Sequence, residues 1–154
     1  MKTSLDQIKK LRAKTKAGVI DCRQALEAGG GDLKKAEEWL RKKGFQSAGK
    51  RTGRETGCGL VEAYTHAEGK IVAVVELCCE TDFVARTEDF KKLAHELAMQ
   101  VAALKPQDVQ ELLAQPWIRD ESKKIEELVK ELSAKTGENI KVNRLYRLEL
   151  GKES

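Results

Sequence analysis

The stretch KIVAVVELCC, residues 70–79, decides how this chain folds. Ile71, Val72, Val74, Val75 and Leu77 leave neither face of an extended segment polar, the pattern of a strand in the middle of its sheet. Upstream, CGLVEAYTH (58–66) is also extended in character, and Ala67-Glu68-Gly69 between the two has the length and glycine placement of a hairpin. Downstream, EDFKKLAHELAMQVAAL (88–104) sets Phe90, Leu93, Ala94, Leu97, Val101 and Leu104 on one helical face and ends before Pro106. A polar stretch with Pro116 and Trp117 follows. SKKIEELVKELSAK (122–135) repeats the helical pattern, and Gly137 stops it. Ile140, Val142, Tyr146, Leu148 and Leu150 then alternate with Lys141, Asn143, Arg147 and Glu149, which predicts a strand with one dry face, interrupted by Arg144. Strand, strand, helix, helix, strand predicts an α+β core over residues 57–154: a three-stranded antiparallel sheet with helices packed on one face.

Residues 1–45 read differently. Leu5, Ile8 and Leu11, then Val19, Ile20, Ala25 and Leu26, then Leu33, Ala36, Trp39 and Leu40 fall at helical spacing in three short segments. Gly18 separates the first two. The run Gly29-Gly30-Gly31 ends the second, and Asp32 offers an N-cap to the third. Arg41, Lys42 and Lys43 suit the negative end of that third helix, with Gly44 as its C-cap. A compact three-helix domain is expected. Residues 46–56, with Lys50, Arg51 and Arg54 among glycines, read as a basic linker. A nucleic-acid-binding arm is the sharper alternative, but Phe45 is the sole aromatic near it.

The 154 residues carry 29 Lys and Arg against 25 Asp and Glu, with 40% hydrophobic residues, so one or two globular units with a mildly basic, well-mixed surface are expected. The start, MKTSLDQIKK, lacks the apolar region of a secretory leader, and no stretch nears the roughly 20 apolar residues of a membrane span, which predicts a cytoplasmic protein. Cys22, Cys58, Cys78 and Cys79 include no CxxC, so neither a zinc cage nor a disulfide framework is expected. His66 and His95 stand without a local acid or thiol at ligand or triad spacing, and no phosphate-binding glycine loop follows a strand. No cofactor and no enzyme chemistry are expected; what is left is a surface that acts on a partner.

CETDFVAR, residues 79–86, is the candidate for that surface. Thr81 or Asp82 as the N-cap of the next helix with Phe83 packed beneath it is one reading. A projecting loop that offers a carboxylate and a ring to another protein is the other. Residue chemistry leaves both open.

Three blocks then carry a resemblance: LRAKTKAGVIDCRQALEAGGGDLKKAEEWLRKKG (11–44), VVELCCETDFVAR (74–86) and KTGENIKVNRLYRLELG (135–151). Together and in this order the chain resembles the translation elongation factor Ts family, guanine-nucleotide exchange factors for elongation factor Tu. The resemblance implies an N-terminal ubiquitin-associated-like domain over 1–45 and a core and dimerisation domain over 57–154. It implies that Thr81, Asp82, Phe83 and Val84 insert between helices of the GTPase partner and dislocate its magnesium ion, freeing GDP. It further implies partner contacts by Arg12, Val19, Ile20 and Arg23 in the first domain and by Thr136 and Gly137 in the second. Elongation factor Tu, GDP-bound and nucleotide-free, is the implied partner, a homodimer the implied state, and no direct nucleic-acid contact is expected. For Val19 and Ile20, core packing stands beside docking as a reading. The chain departs from the family in two places. A helical insertion usual in single-core relatives is replaced by a short segment around Lys105 to Ala114, and Lys16 stands where the family usually has glycine. A non-exchanging ubiquitin-associated-like adaptor and a ribosomal RNA adaptor using Arg41 to Arg54 are the competing functions.

Overall fold

The computed structural model describes residues 3–153; Met1, Lys2 and Ser154, at the outer ends of the two expected domains, lie outside the described residues. The chain divides into two compact units at Lys50/Arg51.

In the first unit α1 (Leu5–Thr15), α2 (Val19–Ala28) and α3 (Leu33–Lys50) follow one another. A capping box starts α1: the Ser4 hydroxyl accepts from the Gln7 amide at 3.2 Å, and the Gln7 side chain accepts from the Ser4 amide at 3.2 Å. Lys16 ends it at φ +59°, a left-handed conformation that glycine adopts without a Cβ penalty, so the lysine here carries a local cost. Asp32 caps α3 through the amides of Lys34 and Lys35 at 2.8 and 3.1 Å. Ile8, Leu11, Cys22, Ala25, Leu26 and Ala36 form the buried centre. Gly29 closes the α2–α3 turn where a Cβ would meet the backbone of Asp32, Ala25 and Ala36 at 3.1–3.2 Å.

The expected stop at Gly44 is corrected. α3 continues to Lys50, so the basic segment that reads as a linker is helical for its first five residues, 46–50. Glycine inside a helix costs about 1 kcal/mol relative to alanine but does not end it unless the backbone turns left-handed, and neither Gly44 nor Gly49 does. Arg41 lies over the Phe45 ring one turn on, 5.5 Å from its centroid, and Ala48 is buried. The rest of the basic segment is tied to the core: the Arg51 guanidinium donates to the Ser133 carbonyl at 2.9 Å, and the Asn139 amide donates to the carbonyls of Thr52 and Arg54 at 3.2 and 2.9 Å.

The second unit is built on a three-stranded antiparallel sheet, β1 (Cys58–His66), β2 (Ile71–Cys79) and β5 (Lys141–Glu149), with β2 central. Between β2 and β5 come α4 (Asp82–Ala85), α5 (Glu88–Leu104), α6 (Val109–Ala114), a two-stranded ribbon of β3 (Pro116–Trp117) and β4 (Asp120–Lys124), and α7 (Ile125–Thr136). The ribbon and the two short helices escape the period test because each is shorter than the window that detects it. Buried Gln100 of α5 holds the ribbon: its amide donates to the Pro116 carbonyl at 2.9 Å and its oxygen accepts from the Ile118 amide at 3.0 Å. Ala73, Val75, Leu77 and Cys79, alternate residues of β2, pack with Phe90, Leu97, Val101, Leu112 and Ile125 in one core.

The dry face expected for β5 is also corrected. Ile140 and Val142 are buried, whereas Tyr146, Leu148 and Leu150 are exposed. The register passes from Leu77↔Val142 to Glu76↔Arg144, so Asn143 is an extra residue, a bulge that turns every later side chain to the opposite face. Glu76 fixes the bulge by accepting from Asn143 at 3.0 Å and Arg144 at 2.5 Å, and these bonds, Asn143 first, lower its pKa. After the bulge Leu145 joins the core instead, and Arg147 donates to the Ala102 carbonyl at 3.1 Å.

At the end of β5 the hydrogen bonds from Arg147 and Lys152 pull the Glu149 carboxyl down from 4.5 to about 2. A carboxyl whose folded pKa is depressed adds stability above its unfolded pKa and loses it as pH falls through the folded value. We therefore expect unfolding free energy to fall between about pH 4.5 and 2, and Glu149→Gln to flatten part of that slope in urea titrations at stepped pH.

Candidate functional site

β2 ends at Cys79, and the chain turns through Glu80 and Thr81 into α4, a single turn of helix that holds Asp82, Phe83, Val84 and Ala85. Thr81 is the N-cap, its hydroxyl accepting from the Val84 amide at 3.4 Å. Thr87 caps the next helix in the same manner, accepting from the Phe90 amide at 3.3 Å and donating to the Val84 carbonyl at 2.7 Å. Of the first reading of CETDFVAR the cap holds and the packed ring does not. Thr81 does cap the helix, but Phe83 does not pack beneath it: 87% of its surface is open, while Val84 and Ala85 turn to the core. Asp82, also exposed, stands beside Phe83 in the first turn of α4.

A four-residue helix has no stability of its own, so its posture is imposed by its surroundings. Glu138 imposes much of it. One carboxylate oxygen accepts from the amides of Glu80 and Thr81 at 3.1 and 3.0 Å, and the other from the Thr81 hydroxyl at 2.7 Å. Glu80 returns the contact, accepting from the Asn139 amide at 2.7 Å, with Arg54 3.5 Å away. From beneath, the Cys79 thiol donates to the Thr81 carbonyl at 3.1 Å. Burial, and then the charge of Glu138, pushes that thiol up to about 11. Cys58 pairs with Cys79 across the strands, and burial, then the charge of Asp82, pushes its thiol pKa up. All four cysteines are free thiols; Cys78 and Cys79, both buried, point to opposite faces of the sheet.

Thr136 and Gly137 reach this site through their neighbour. Gly137 adopts φ +72° and its amide closes on the Ser133 carbonyl at 2.9 Å; the chain then turns so that Glu138 faces Thr81. The Ser133 hydroxyl holds the Glu138 carbonyl at 2.6 Å. The fold therefore brings Thr81–Val84 and Thr136–Gly137 together. Glu138, which joins them, is not among the residues that the sequence motifs indicate; its one sequence signal is an acid directly after the glycine that stops α7.

The remaining candidates lie in the first unit. Arg12 is exposed in the last turn of α1, beside Lys9, Ala13 and Lys16 around a shallow hollow. Val19 and Ile20 open α2 and are 50% and 68% exposed, which removes core packing as their role. Arg23, one turn on, is exposed and 3.6 Å from Glu27. Two branched apolar side chains thus lie open side by side at the start of the helix. Among the described residues no three metal-ligating side chains cluster and no helix is long and apolar enough to cross a membrane.

The family described as Elongation factor TS matches residues 80–154, which hold the tip and the Glu138 turn. Over nearly the whole chain, elongation factor Ts of Thermotoga neapolitana is 44% identical, with 99% of this chain and all of the relative covered. The corresponding protein of Coprothermobacter proteolyticus is 40% identical over 98% of this chain and all of its own length, and that of Rippkaea orientalis 41% over 96% and 78%. These likenesses place the chain among the translation elongation factors. It belongs to the elongation factor Ts family. The alignment with the Thermotoga protein spans 196 positions against 154 residues here, so that relative carries a few dozen residues that this chain lacks.

Proposed function

We propose that the chain is a guanine-nucleotide exchange factor for elongation factor Tu, acting in the cytoplasm by wedging its Thr81–Val84 tip into the GTPase. One observation carries the reading: a phenylalanine 87% exposed on a turn that is otherwise fully braced. Burying a phenyl ring is worth about 1.5–3 kcal/mol, and the fold leaves that energy for a partner to collect. Asp82 beside it brings a negative charge toward the magnesium that bridges the partner's nucleotide phosphates. Magnesium needs near-octahedral ligation, so small shifts of its ligands and supporting helices weaken it and leave the phosphates unneutralised. No covalent step occurs. The coupling is reciprocal: nucleotide binding weakens factor binding by the same ratio, so GTP releases the factor. Arg12, Val19, Ile20 and Arg23 supply a second grip on the GTPase, and Thr136 and Gly137 one beside the wedge. The experiment is release of labelled GDP from elongation factor Tu with and without the unmodified chain; no acceleration would reject the reading.

A non-exchanging adaptor that uses only the first unit is the second reading; it is favoured by the exposed Val19 and Ile20. It leaves the exposure of Phe83 without a purpose.

The homodimer forms, in this proposal, through the sheet face turned away from the helices. Val61, Val72, Val74, Tyr146 and Leu148 share that face by register, and the Asn143 bulge is what carries Tyr146 and Leu148 onto it. Leu148, Val61 and Tyr146 are 66%, 63% and 62% exposed on this one face, a contiguous apolar surface of the kind that marks an interface. Leu148→Asp is expected to shift a dimer to monomer in sedimentation equilibrium at micromolar concentration. A monomeric unmodified chain would refute the dimer.

A further inference from the structure

We infer that Glu138 is the positioning residue of the wedge: its carboxylate sets the orientation of the Asp82-Phe83 turn while itself staying off the partner. The inference deepens the exchange reading and rests on it for its functional half.

The argument lies in how the three bonds to Glu138 divide the donors of the turn. The amides of Glu80 and Thr81 would otherwise point into a strand end with no ladder partner, because β2 stops at Cys79 and β5 begins only at Lys141. Glu138 takes both on one oxygen. Its second oxygen accepts a hydrogen bond from the Thr81 hydroxyl at 2.7 Å, which fixes the rotor and leaves a lone pair of that hydroxyl for the Val84 amide. The N-cap of α4 is therefore set from 57 residues away in sequence. The carboxylate is held in turn: Gly137 aims it from a left-handed turn, Ser133 grips its carbonyl, and the Asn139 amide next to it bonds Glu80. Charged acceptors make hydrogen bonds about twice as strong as neutral ones, so this group outweighs the neutral contacts of the turn.

Two measurements on the full chain test this, one independent of function. In amide hydrogen exchange of the free protein, Glu138→Ala is expected to speed exchange at Glu80, Thr81 and Val84 by at least about tenfold, with the centre of β2 unchanged. In stimulated GDP release from elongation factor Tu, the same variant is expected to lower the maximal rate by about tenfold or more, with less than about a threefold change in the half-saturating factor concentration. A merely unstable variant does the opposite, because a smaller folded fraction raises the half-saturating concentration and spares the maximum. Glu138→Gln keeps the oxygen that serves both amides but not the charge, and is expected to fall between Glu138→Ala and the unmodified chain in both protection and rate. Should Glu138→Ala unfold the core, Glu138→Asp, which keeps the charge but falls one methylene short, is expected to give the same pair of effects. Unchanged protection at Glu80 and Thr81 in a folded variant overturns the clamp. Lost protection with an unchanged maximal rate overturns the positioning role. A failure of the unmodified chain to release GDP is instead a failure of the exchange reading, and the amide measurement still decides the clamp.

Discussion

Phe83→Ala is expected to lower the maximal rate of factor-stimulated GDP release by about ten- to a hundredfold while leaving the melting temperature of the free chain unchanged within about 1 °C. The magnitude follows from the ring. Its 87% exposure means that truncation removes nothing from the core of the free protein. In the complex, burial of a phenyl group is worth about 1.5–3 kcal/mol, and each tenfold in rate requires about 1.4. One ring thus accounts for about one to two tenfold steps if its burial is realised as nucleotide leaves. Asp82→Ala is expected to act in the same direction through the magnesium site. Stopped-flow release of labelled GDP at saturating factor, alongside thermal unfolding of the free variant, reads both halves of the expectation.

Phe90→Ala should show the reverse pattern. Seven residues further along, this phenylalanine is fully buried in the core cluster with Leu97, Val101 and Ile125. Its removal is expected to cost about 3–5 kcal/mol of stability through lost transfer energy and the cavity left behind. At a total of about 5–15 kcal/mol for a domain, that is a large share, and urea denaturation will show it as a shift in midpoint with an unchanged slope. Any fall in exchange activity is expected to track the folded fraction and to vanish at low temperature, where the variant folds. The two aromatics lie in the first turns of successive helices, Phe83 two residues past the Thr81 cap and Phe90 three past the Thr87 cap, and one is left open while the other is buried.

That contrast also marks where the sequence is legible. The central position of β2 follows from its apolar run, and the hairpin, α5, α7 and the stop at Gly137 from period and punctuation. The two elements that depart do so for local reasons that no window contains. Gly44 reads as a stop because glycine usually ends helices left-handed; here the stacking of Arg41 on Phe45 and the burial of Ala48 carry the helix on to Lys50. β5 reads as one dry face because strict alternation has no place for a bulge, and Asn143 supplies one through a glutamate on the neighbouring strand. The site shows the same division. Thr81 to Val84 are visible as a motif, and only the fold shows that Phe83, Val19 and Ile20 stay exposed instead of packing in a core. Glu138 was invisible for a plainer reason: its three bonds cross 57 and 58 residues of sequence, and a carboxylate on a turn looks like solvated charge until its donors are located.

The most direct test of the whole account is the maximal rate of GDP release from elongation factor Tu, measured with the unmodified chain and with the Asp82→Ala, Phe83→Ala double variant, both confirmed folded. The account predicts strong acceleration by the first and at least about a hundredfold less by the second. Equal acceleration by both would contradict it.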